Sequence, residues 1–148
     1  MGIITIVKKV KEIHPEYVTI INVGKFYYTY GKDSYIISYL LNYKLNAFEN
    51  ILRCGFSDES LNKVIAKLEL NKINYLLLDR KNNYDVDIKC NNKNLNNYNK
   101  IFKMAKEKTN LKRRIENINA YLYSNIDNKD IKPILSEMEK ILNERRKV

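Results

Sequence analysis

Two apolar runs lying back to back constrain this chain more than any other feature. Residues 17–24 read YVTIINVG, a β-branched stretch that follows His14-Pro15. Residues 25–31 read KFYYTYG and follow without a spacer. The residue before a proline avoids the α region, so a helix over 4–13 must stop at His14. Gly24 divides the two runs and Gly31 closes the second. In 148 residues with only 4 glycines and 2 prolines, such punctuation is informative. Two strands this close in sequence predict an antiparallel hairpin. Strand alternation places Lys25, Tyr27 and Thr29 on one face and Phe26, Tyr28 and Tyr30 on the other.

Further elements follow from periodicity. Ile36, Ile37, Leu40 and Leu41 predict a helix over 34–43, with Asp33 or Ser34 as its cap. Residues 44–56 favour extended chain toward Gly55. Leu61, Val64, Ile65 and Leu68 predict a helix opened by Ser57, Asp58 and Glu59. INYLLLD is a short buried strand, and YDVDIKC (84–90) alternates as a half-exposed one. NNKNLNNYN is a polar loop. From about residue 98, Ile101, Met104, Leu111, Ile115, Ile118 and Leu122 keep to one helical stripe. Residues 125–128 break it, and Asn128 or Asp130 caps a last helix bearing Ile134, Leu135, Met138, Ile141 and Leu142. The expected architecture is α/β: a small mixed sheet with flanking helices over 1–95, then a basic C-terminal helical hairpin over 96–148.

Composition removes several classes of chemistry. Cys54, Cys90 and the single His14 supply neither a disulfide framework nor a common zinc site. Both cysteines read as buried small hydrophobes. No G-x-S-x-G elbow accompanies His14, and no G-x-x-x-x-G-K-[ST] phosphate loop is present. No apolar run reaches membrane-spanning length. The N-terminus lacks a basic region ahead of an apolar core, so a cytoplasmic protein is expected. No cofactor, metal, membrane partner or enzymatic activity is expected.

Charge points toward polyanions. The formal net charge is +10, and such a balance favours nucleic acid. Residues 100–148 carry 13 basic and 7 acidic side chains against 14 and 10 in residues 1–99. The first tail helix concentrates Lys100, Lys103, Lys106, Lys108, Lys112, Arg113 and Arg114 against Glu107. That cluster suits phosphate contact. A solvated helix face is the plainer reading of the same residues.

The stretch KEIHPEYVTIINVGKFYYTYG resembles the start of the mismatch-recognition domain of MutS proteins. That domain has a helix ending near His-Pro-Glu/Asp, an apolar strand, and a G-D-F-Y-E-x-F/Y signature. The matching residues are His14, Pro15, Glu16, Gly24, Phe26, Tyr27 and Tyr30. SYLLNYKL, CGFSDESLNKVIAKLELN and KINYLLLDR follow in the family's order, so the likeness covers roughly residues 4–90. The resemblance implies that Phe26 is an aromatic wedge, stacking on a mispaired or unpaired base from the minor groove. The family's Glu is replaced by Tyr28 and its Asp by Lys25. A hydrogen bond from Tyr28 and phosphate contact by Lys25 are what remain of those roles. Tyr17, Tyr27, Tyr28 and Tyr30 add a stacking surface suited to single strands.

The expected function is therefore a non-catalytic accessory module that binds distorted or mismatched nucleic acid, with DNA the expected polymer. Phe26, Tyr28, Lys25, Lys103, Lys106, Arg113 and Arg114 are its candidate contacts. Resemblance suggests a larger repair ATPase or a retroelement reverse transcriptase as partner. Two alternatives are a protein-interaction module docking through the helical tail and a magnesium-dependent nuclease built on Asp79, Asp85 and Asp87.

Overall fold

A computed structural model describes residues 2–85, 87–88 and 95–146. Val86, Lys89, Cys90 and residues 91–94 of the polar loop lie outside the described residues, as do the side chains of Asn82, Asp87 and Ile88.

The first helix, α1 (Ile3–Ile13), ends at His14 ahead of Pro15. Strands β1 (Val18–Val23) and β2 (Phe26–Tyr30) form the expected antiparallel hairpin, with Val23 opposite Phe26 and Ile21 opposite Tyr28. Helix α2 (Lys32–Leu41) follows. Residues 44–56 resolve into a second hairpin, β3 (Asn46–Phe48) and β4 (Ile51–Ser57). Its turn residues, Glu49 and Asn50, both have positive φ, at 47° and 66°. A two-residue turn with both centres left-handed matches strand twist, but Glu-Asn is an unusual pair for it. Helix α3 (Leu61–Leu70) begins after a short 3₁₀ turn, and β5 (Tyr75–Leu78) returns the chain to the sheet. The two-residue strand β6 (Asp87–Ile88) closes the edge.

These strands make one mixed sheet in the order β3-β4-β2-β1-β5-β6. Among the described residues only the β1–β5 pair is parallel, and α2 and α3 lie within the crossover between them. One sheet face buries Val18, Ile20, Cys54, Phe56 and Tyr75 with Ile36, Ile37, Val64 and Leu68 from α2 and α3. The other packs Ile21, Tyr30, Leu76 and Leu78 under Val7 and Val10 of α1. The Cys54 thiol is pushed up to about 11 by burial, as suits a small hydrophobe in the core.

Helix α4 (Tyr98–Ser124), a turn over 125–130 and α5 (Ile131–Arg146) form the C-terminal helical region. Pro133 sits in the first turn of α5, where its missing N–H costs nothing. The chain divides into two compact units, Met1–Thr109 and Asn110–Val148. The first three turns of α4 belong to the first unit, where Tyr98, Ile101 and Ala105 are buried.

Asp33 is not the cap that its position before an apolar stretch suggests. It is fully buried, and Gly31 occupies the N-cap without side-chain capping. The Asp33 carboxylate accepts hydrogen bonds from the Thr19 backbone N–H at 3.0 Å, Lys11 Nζ at 2.9 Å and the Tyr98 hydroxyl. Lys11 also donates to the carbonyls of Pro15 and Tyr17. One carboxylate thus ties α1, β1, α2 and the start of α4 together. Burial raises the Asp33 carboxyl above the usual carboxylate range, against the opposing pull of Lys11, Tyr98 and the Thr19 N–H. Burial likewise raises the Tyr98 hydroxyl, and the Asp33 charge adds to it.

Candidate nucleic-acid interface

The β1–β2 turn presents Lys25 and Phe26 together. Gly24 has φ +66°, while Lys25 is absent from the positive-φ residues. That is the pattern of a hairpin turn with glycine at its first centre, a position a side chain adopts only with strain. Lys25 is exposed at the tip. Phe26, the first residue of β2, leaves half of its surface, 50%, in solvent.

Behind Phe26 the rings form a graded row on the same face. Phe26 and Tyr28 centroids are 6.4 Å apart, Tyr28 and Tyr30 6.4 Å, and Tyr30 and Phe48 6.3 Å. Exposure falls along the row until Tyr30 is buried. The row therefore anchors its outer ring in the core beneath α1. Arg53, opposite Tyr30 on β4, holds its guanidinium 4.4 Å from the Tyr28 centroid and 4.0 Å from that of Phe48. These are cation–π distances. Arg53 adds a positive charge to this face that no spacing in the sequence revealed. Its signal exists only in the β2–β4 register.

Gly55 makes the arrangement possible. It faces Tyr28 across β2 and β4, and a Cβ there would lie 2.5 Å from the Tyr28 ring. The ring lies over bare backbone. Gly55→Ala is expected to tilt Tyr28 away and to destabilise the domain by about 1–3 kcal/mol through overpacking. Chemical denaturation should show a lower midpoint, and Tyr28→Ala in the same background should restore part of the loss. An unchanged midpoint in Gly55→Ala would contradict this packing.

The other candidates do not gather at this face. Tyr27 points to the opposite layer and stacks on Phe56 at 5.9 Å with 15° between planes. Tyr17 tilts against His14 at the α1–β1 junction. The proposed four-tyrosine stacking surface is thus divided between two faces. Lys103 and Lys106 are exposed on α4, but that helix buries Tyr98 and Ile101 in the core on the sheet face opposite Phe26. They stand on a separate surface from the ring row. Arg113 and Arg114 are exposed in the second unit, where Arg113 donates to Asn110. Lys108, from the same basic cluster, lies 5.5 Å over the Tyr39 ring.

The carboxylates considered for magnesium are differently placed. Asp79 accepts a hydrogen bond from the Lys81 backbone N–H and caps a short turn. Among the described residues no group of three His, Cys, Asp or Glu side chains is placed to hold a metal ion. No helix among those residues is long and apolar enough to cross a membrane.

Residues 1–76 match the family model for MutS domain I. The chain belongs to the MutS domain I family. No curated protein matches it. The matched segment runs from the first helix through the β1–β2 hairpin to the start of β5. It includes the whole ring row together with Arg53 and Gly55. The tail lies beyond the match.

Proposed function

We propose that this MutS domain I protein is a non-catalytic DNA-binding module that recognises distorted or mismatched duplex with Phe26 as its wedge. The observation that carries this reading is the half-exposed Phe26 ring at the wedge position of the family signature, beside a glycine turn and an exposed lysine. Insertion of an apolar ring unstacks a base step and bends the duplex. That costs least where pairing is already weak. The ring row supports the wedge from behind, as a tool that must resist deflection requires.

Tyr28 stands where the family carries a carboxylate, so a neutral hydroxyl and ring replace an acidic hydrogen-bonding group. Discrimination then rests on ease of unstacking more than on an acidic contact to one base. Lys25 and Arg53 supply phosphate contacts around the wedge, and they position without specifying sequence. Lys103, Lys106, Arg113 and Arg114 add backbone affinity from the α4 surfaces. The protein serves in this reading as an accessory to a larger repair ATPase or a reverse transcriptase.

Fluorescence anisotropy tests the proposal with four probes of equal length: matched duplex, duplex with one unpaired base, single-stranded DNA and single-stranded RNA. The unpaired-base duplex should bind tightest. Affinity for every probe should fall steeply with salt, by roughly 10³-fold or more between 50 and 200 mM if six or more phosphates are contacted. Equal affinity for matched and unpaired-base duplexes would refute the wedge. Absence of binding at low salt would refute the module's function altogether and favour a tail that docks to protein.

A further inference from the structure

The C-terminal unit, Asn110–Val148, exposes more apolar surface than its own fold uses. On α4, Leu111, Ile115 and Ile118 recur at four- and three-residue spacing, and Leu122 continues them. On α5, Leu135, Ile141 and Leu142 flank the half-buried Ile134 and Met138. The six exposed residues among these keep 38–58% of their surface in solvent. These stripes stay exposed although a short turn joins α4 to α5. A 4-3-4 spacing is that of a helix seam meeting another helix.

The charges beside the two stripes are of opposite sign. Lys112 and Arg114 flank the α4 stripe at the positions next to its seam. Glu137 and Glu144 flank Ile134, Met138 and Ile141 on α5 in the same way. No ion pair joins the two helices among the described residues. Lys112 and Arg114 of one copy are therefore complementary to Glu137 and Glu144 of another, beside a row that Arg145 continues on α5. In a two-fold pair each α4 meets the α5 of the other copy, and both contacts form at once.

The area suffices. Six large aliphatic side chains at about half exposure, with the edges of Leu122 and Met138, give roughly 600 Å² per copy, or about 1,200 Å² in a pair, the lower bound for a stable interface.

We propose that the occupant of this surface is a second copy of the same chain, and that the protein is a two-fold dimer joined through a four-helix arrangement of its C-terminal units. Such a dimer carries two Phe26 hairpins. Its assembly does not depend on the Phe26 wedge, because every residue involved lies beyond the matched family segment.

Sedimentation equilibrium of the full chain, freed of nucleic acid at high salt, tests this. The mass should double from 17.6 kDa as concentration rises. Ile118→Asp should raise the dissociation constant at least about tenfold, with helical circular dichroism and thermal midpoint of the first unit unchanged. Glu137→Lys with Glu144→Lys, both at exposed positions, should weaken the dimer similarly without touching the apolar stripe. A chain that stays at 17.6 kDa at every concentration overturns the proposal; the helices then close on their own chain. A dimer indifferent to all three substitutions also overturns it, because its interface would lie elsewhere.

Discussion

Replacing Phe26 by alanine should cost about 1–3 kcal/mol of binding to duplex with one unpaired base, the range measured for loss of a base-stacking aromatic. That is roughly 5- to 150-fold in Kd. The loss on matched duplex should be several-fold smaller, because an intact stack gives the ring little to enter. Fold stability should change little, since half of the Phe26 surface is already in solvent. Phe26→Tyr should retain most of the affinity, for the ring is kept. Phe26→Leu should be intermediate, an apolar wedge without a π face. Titration of both duplexes with the three variants checks the ordering. Equal losses on matched and unpaired-base duplexes would leave Phe26 as a general contact and remove its discriminating role.

The largest expected loss of stability lies at Asp33. Asp33→Ala strips the partner from Lys11, from the Thr19 N–H and from the Tyr98 hydroxyl in one step. Leaving a largely buried charge without its partner costs about 3–5 kcal/mol. Lys11 keeps two carbonyl acceptors, which sets the loss toward the lower end. The thermal midpoint should fall by roughly 10 °C or more. Asp33→Asn keeps an acceptor for the Thr19 N–H and should cost less. The pH dependence has a definite sign. The folded carboxyl titrates above its unfolded value because burial disfavours its charge. Its contribution is therefore fully present below the unfolded pKa and declines as pH rises through the folded one. The difference in stability between parent and Asp33→Asn should thus be largest in acid and shrink on going to neutral pH. A difference that grows toward neutral pH would show that attraction to Lys11 outweighs burial.

Most of the elements were legible because their signals are local. The hairpin of β1 and β2 followed from Gly24 and the alternation of Phe26, Tyr28 and Tyr30, and its facing is as expected. α3 and β5 followed from periodicity and a short apolar run. The β3–β4 hairpin was only a stretch of extended chain, because Glu49-Asn50 lacks the usual turn chemistry and its conformation is imposed by the strands on either side. Asp33 read as a cap because the sequence cannot show that Lys11, 22 residues earlier, and Tyr98, 65 residues later, meet it in the core. The candidate site shows the same division. Phe26 and Lys25 were visible in the signature. Arg53 and Gly55 were not, since they act on Tyr28 only through the β2–β4 register. The tail cations were visible as charge, but not the face on which α4 carries them.

The central claim is that the Phe26 ring stacks on a base displaced from the duplex. The most direct test places 2-aminopurine as the unpaired base and follows its fluorescence on saturation with protein. Stacking on the Phe26 ring should produce a distinct, saturable emission change with the parent and with Phe26→Tyr, and Phe26→Ala at saturating concentration should leave the emission at that of the free duplex. The same emission change with Phe26→Ala as with the parent would contradict the account, because the base would then be responding to some other part of the protein.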